Sequence, residues 1–194
     1  MTVDEKKNLK RANIIEAAYK LFTKQNINTT AIDEVVKAAG IAKGTFYLYF
    51  RDKYDLLDQL ILFKSSELIS LTLERLRYEK QQREIELSEQ VIFFVDSMID
   101  RFSENKPLLA LMSKNLSLTL QNLNSLDSGE LQSALSEITD ACVERGVPRR
   151  EVRNTLYAIT DMVASVCCDS ILYERPCPIS EMKPILFSII KKII

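Results

Sequence analysis

Apolar residues recur every three to four positions along nearly the whole chain, the spacing of one face of an α-helix. Ile14, Ile15, Ala18, Leu21 and Phe22 set the first stripe, which predicts a helix over about 8–25. Asn26, Asn28 and Thr29 interrupt it. Thr30, with Asp33 three residues on, reads as the cap of a short second helix whose inner face is Ile32, Val35, Val36 and Ala39. Gly40 stops that helix, because glycine tolerates the left-handed backbone at a helix end. After the turn at Ile41 and Ala42, a third short helix is expected over 43–50, with Phe46 and Phe50 on one side. Asp52 caps a fourth, whose stripe begins with Leu56, Leu57, Leu60 and Ile61 and runs toward Tyr78.

A charged stretch at 77–86 is expected to separate this helix from the next, which carries Val91, Phe94, Val95, Met98, Ile99 and Phe102 and closes at Asn105 and Pro107. Leu108, Leu109, Met112, Leu116 and Leu120 mark another helix, followed by a turn at 127–129. Leu131, Leu135, Ile138 and Cys142 follow, ended by Gly146. Pro148 opens a long helix through Val152, Leu156, Ile159, Val163 and Val166 to about Tyr173, where Pro176 and Pro178 break it. The last helix is expected over 183–194, rich in Ile and Leu, with Pro184 in its first turn where a missing N–H costs least. No strand alternation and no repeat stand out. The fold class is all-α with about nine helices: an amino-terminal three-helix segment over 1–52, then a helical body over 53–194.

Composition agrees and narrows the chemistry. With 4 Gly and 5 Pro in 194 residues there is little material for hairpins. Net charge is −1, unevenly spread: residues 1–64 hold 11 Lys and Arg against 8 Asp and Glu, the rest 15 against 19. A basic head on an acidic body lets one end approach a polyanion. There is no His, which excludes His-based catalysis and His metal ligation. The four Cys (Cys142, Cys167, Cys168 and Cys177) form no CxxC pair, so they read as reduced, packed thiols; adjacent Cys167 and Cys168 point about 100° apart on a helix and would strain an intrachain bridge. No metal site or cofactor is expected. The charged start has no apolar segment behind it and no run reaches the roughly 18 apolar residues of a membrane span, so the expected location is the cytoplasm, with no membrane partner.

Two short helices joined by a tight Gly-containing turn, 32–39 and 43–50, make a helix-turn-helix candidate. The second helix must keep one face apolar for packing and offer the other to the major groove of DNA. Phe46 and Phe50 supply the first; Lys43, Thr45, Tyr47 and Tyr49 supply the second. The stretch from Thr30 through Val35-Val36, Ala39-Gly40, Lys43-Gly44-Thr45, Phe46-Tyr47-Leu48-Tyr49-Phe50, Lys53 and Leu56 resembles the DNA-binding core of the TetR/AcrR family of one-component regulators. The likeness covers about 14–57; beyond it the chain is similar only in length and helical pattern. Ala42 stands where the family often has Ser, so any phosphate contact there is limited to backbone.

The resemblance implies roles. Thr30, at a helix start, touches a phosphate, as does Lys53; Gly44 allows close backbone approach; Lys43, Thr45 and Tyr47 face the DNA, Thr45 being best placed for a base edge; Tyr49 reaches backbone or base. It also implies a dimer on a palindromic operator of double-stranded DNA, acting as a repressor released by a small molecule. The helices at 148–173 and 183–194 are expected to pair with their mates, because the last is too apolar to end exposed. The acidic, His-free body argues against a metal or polyanionic effector. An apolar or amphipathic one is expected among Phe93, Phe94, Met98, Phe102, Met112, Tyr157 and Met162. The alternative is a ligand-independent DNA-binding adaptor controlled by a protein partner. A helical-bundle enzyme finds no support in the residues.

Overall fold

The computed structural model describes residues 2–113 and 129–194. Among them are nine helices and no strand: α1 (Val3–Phe22), α2 (Ile32–Ala39), α3 (Lys43–Tyr47), α4 (Lys53–Gln82), α5 (Leu87–Glu104), α6 (Lys106–Ser113), α7 (Gly129–Glu144), α8 (Arg149–Leu172) and α9 (Ile179–Ile193). The expected continuation through Leu116 and Leu120 and the turn at 127–128 lie outside the described residues. Two compact units result, Met1–Lys64 and Ser65–Ile194. They meet twelve residues beyond the division expected at 52/53, because Leu56, Leu57, Leu60 and Ile61 of α4 are buried within the first unit.

In the first unit the core is Ile14, Ile15, Ala18 and Phe22 of α1, Val35 and Val36 of α2, Phe46 and Phe50, and the α4 leucines. α1 starts five residues earlier than its apolar stripe suggested. Thr2 and Glu5 form a capping box there: the Glu5 amide donates to Thr2 Oγ1 at 3.2 Å and the Thr2 amide to Glu5 Oε2 at 2.8 Å. α1 and α4 lie side by side in the same direction, joined by Arg11 to Gln59 Oε1 (2.7 and 3.1 Å) and by Glu16 to Lys64 (3.1 Å). Gly40 has φ +66, the left-handed stop expected of it.

The second unit is built on Val91, Val95 and Ile99 of α5, Leu109 of α6, Ile159, Cys167 and Ile171 of α8, and Leu186 and Ile190 of α9. Lys183 of α9 ties back to α5 through Asp96 (2.6 Å) and Asp100 (2.5 Å). Two expectations are corrected. The charged stretch does not end α4, which continues to Gln82, since charge on an exposed face does not interrupt a helix. α9 begins at Ile179, so Pro184 is inside it rather than in its first turn, and the carbonyl of Ser180 goes without the backbone donor Pro184 lacks. α8 contains no unbroken apolar run of 18 residues, as expected, yet by length and composition alone it is apolar enough to cross a membrane, with 22% of that window buried.

Candidate nucleic-acid interface

The reading segment is held from behind by aromatic packing. Phe46 is fully buried and Phe50 nearly so, their ring centroids 5.6 Å apart. Tyr47 stands edge-on to Phe46 at 5.3 Å and is 52% exposed. α3 is shorter than expected, ending at Tyr47, but its turn continues: the amides of Leu48 and Tyr49 still donate to the carbonyls of Thr45 and Phe46. At about 100° per residue, Gly44 and Leu48 occupy the middle of the outward face, with Tyr47 and then Lys43 on one flank. Thr45 and Tyr49 turn to the other flank and are half-buried.

Thr30 is not the cap of α2. Its residue is 1% exposed, and its hydroxyl donates to the carbonyl of Asn26 (3.0 Å) and accepts from Gln25 Nε2 (3.1 Å). The cap position falls one residue later, on Ala31, whose amide donates to Glu34 Oε2 at 2.8 Å. A capping Thr and a Thr preceding an Ala cap look alike in sequence; the partner that decides is Glu34 rather than Asp33.

Lys53 is similarly engaged. Its ammonium donates to the carbonyls of Asn28 (2.9 Å) and Thr30 (3.2 Å), leaving one of three donors. The hydroxyl of neighbouring Tyr54 donates to Asn28 Oδ1 at 3.1 Å. The start of α4 therefore fixes the loop that leads into α2. Asp52 caps α4 as expected, accepting from the amides of Tyr54 and Asp55. Lys43 pairs with Asp33 at 2.8 Å on the surface, and this hydrogen bond raises its ammonium above the ordinary value. Sequence reasoning also passed over two exposed residues of this unit, Arg51 and Leu48. Leu48, at 78%, is the most exposed of its large apolar side chains.

The expected effector residues differ in their burial. Phe102 and Met162 pack on the core of the second unit and Met112 is buried, whereas Phe93, Phe94 and Met98 are half-buried. Met98 receives the Thr72 hydroxyl at 3.5 Å, and Arg75 lies over the Phe93 ring. Tyr157 is 57% exposed: two positions from buried Ile159, it points roughly 200° away around α8. A cleft of about 570 Å³ opens elsewhere, lined by Glu84, Glu86, Glu89, Glu137 and Arg145 over Ile85 and Leu87. No group of His, Cys, Asp and Glu among the described residues is arranged to hold a metal.

Two short helices joined through the left-handed turn at Gly40, the second seated by its own Phe46 and Phe50 and presenting Lys43, form a helix-turn-helix. Residues 14–60 match the family described as bacterial regulatory proteins, tetR family. Over 64 residues the chain is 36% identical to the HTH-type transcriptional regulator AcrR of Shigella flexneri, 33% of this chain and 30% of that one. Over 153 residues it is 26% identical to the fatty acid metabolism regulator protein of Bacillus subtilis, 78% and 75% of the two chains. Solved structures of similar fold include FadR of Bacillus subtilis in complex with stearoyl-CoA (TM-score 0.66, 19% identity, 94% and 98% covered). Another is FadR of Thermus thermophilus, a TetR-family repressor in complex with lauroyl-CoA (0.66, 22%, 93% and 92%). The match to the tetR family lies within residues 14–60, the helix-turn-helix unit, and beyond it the chain shares the fold of these regulators.

Proposed function

We propose that the protein is a dimeric cytoplasmic repressor that binds a palindromic operator and is released by an amphipathic acyl ligand. The observation that carries this reading is the reach of the likeness to the fatty acid metabolism regulator, which runs well past the DNA-binding segment into the body. The body's acidic balance does not oppose a phosphate-bearing head: Arg145, Arg149, Arg150 and Arg153 make one stretch locally basic. Dimerisation is supported by what α9 leaves uncovered. Leu186 and Ile190 face the core, but Ile185 and Ile193 are 51% and 49% exposed and share a side with half-buried Ile189. Together with the little-buried length of α8, this is apolar surface that a second copy would remove from water.

The test begins with duplexes selected from a random library by the full chain. Fluorescence anisotropy then measures release by lauroyl-CoA, with lauric acid and coenzyme A alone as controls. Release by the acyl thioester, with stabilisation growing as RT ln(1 + [L]/Kd), is the expected result. Failure to select any duplex refutes the DNA reading, and release by none of the three refutes the effector. In sedimentation at micromolar concentration the wild-type chain is expected to be a dimer and Ile189→Glu a monomer; a monomeric wild type defeats the dimer.

A further inference from the structure

The outward face of the reading helix carries two features that the fold itself does not use. The first is Leu48, 78% exposed. A large aliphatic side chain left in water gains nothing for the folded chain, and it stands at the centre of the exposed face rather than at its edge. The second is Gly44. Glycine inside a helix costs stability relative to alanine, and internal crowding does not demand it here: a Cβ at this position meets no atom within 4 Å, and φ is not in the left-handed range. Gly44 and Leu48 are four residues apart, hence about 40° apart on the same side of the helix. An empty position and a projecting apolar group side by side match a body that comes close to the backbone at one and offers an apolar surface to the other.

Resting on the DNA reading above, we propose that Leu48 is a specificity-determining residue that packs on the 5-methyl group of a thymine in the major groove, with Gly44 letting the helix seat deeply enough for the contact. The thymine methyl is the apolar group that distinguishes base edges in that groove. Half-buried Thr45, turned to the flank, is the less central of the two side chains. Lys43, also on this helix, supplies the adjacent positive charge.

The test uses the full chain and a duplex it has selected, in which thymines are replaced one at a time by deoxyuridine. This deletes the methyl and keeps every hydrogen-bonding group of the base edge. One thymine in each half-site is expected to matter, its replacement lowering wild-type affinity about fourfold, the effect of losing one buried methyl. Leu48→Ala is expected to bind more weakly by a similar factor and to be indifferent to that replacement, while Leu48→Met keeps part of the sensitivity. Because Leu48 is exposed, the variants should melt with the wild type. Gly44→Ala is expected to melt higher yet bind every duplex more weakly. A wild type indifferent to all replacements, a Leu48→Ala chain as sensitive as wild type, or unchanged binding by Gly44→Ala overturns the inference while leaving DNA binding intact. If no duplex is selected at all, the DNA reading itself has failed, and this inference with it.

Discussion

Replacing Lys53 by Met keeps the aliphatic stem and removes only the ammonium, separating two roles that the sequence cannot tell apart. Family resemblance makes Lys53 a phosphate contact. In the folded chain its ammonium already donates to the carbonyls of Asn28 and Thr30, at 2.9 and 3.2 Å. A hydrogen bond from a charged donor contributes about 1.5–3 kcal/mol. Lys53 is only half-buried, so solvent screening puts the pair together near the low end, about 1.5 kcal/mol. For a chain of this length that lowers the melting midpoint by about 3–6 °C. A lost phosphate contact has a different signature: the slope of log affinity against log salt becomes shallower by about 0.9 for each contact. Calorimetry and anisotropy titrations between 50 and 200 mM salt read the two independently. The expected result for Lys53→Met is a lower midpoint, weaker binding on all duplexes and an unchanged salt slope. A shallower slope with the midpoint held within about 1 °C would refute the positioning role.

Asp33→Asn removes the carboxylate that occupies Lys43 and is expected to strengthen DNA binding at low salt, the gain fading at high salt; anisotropy showing weaker binding at both would contradict the role given to Lys43. Burial pushes the Cys167 thiol from 9.0 up to about 12, so the folded chain holds its proton where the unfolded chain releases it. Stability contributed by the neutral thiol is thus complete below pH 9 and declines from there toward 12, and urea titrations should show wild type losing more stability than Cys167→Ala over that interval.

The elements that were legible in the sequence are those with both an apolar period and a local stop. α2 is the clearest case: Ile32, Val35, Val36 and Ala39 mark its inner face, and Gly40 ends it where expected. The start of α1 is not legible from its apolar stripe because its first turns are polar and are held by Thr2 and Glu5, which carry no hydrophobic period. The start of α9 is illegible for the reverse reason: Pro184 reads as a boundary, yet a proline one turn inside a helix forgoes one hydrogen bond without ending it. In the site, residue types were readable and their partners were not. Nothing in the order of residues says that Thr30 turns inward, that Lys53 spends two donors on carbonyls, or that Tyr157 faces away from the core. Leu48 escaped notice because a leucine in a helical pattern is read as core until its exposure is known.

The uncovered isoleucines of α9 and the reading helix α3 belong to different compact units, and this has a genetic consequence. On the dimeric reading, a chain altered only at Leu48 or Thr45 keeps its pairing surface intact. In a cell carrying a normal and an altered copy of the gene at equal expression, random pairing puts most dimers in mixed or doubly altered form. Each mixed dimer has one competent head for a two-fold operator. Lesions in α3 should therefore be trans-dominant, derepressing even beside a wild-type allele, whereas lesions that charge the Ile185–Ile189–Ile193 side should be recessive, because their products never enter the dimer.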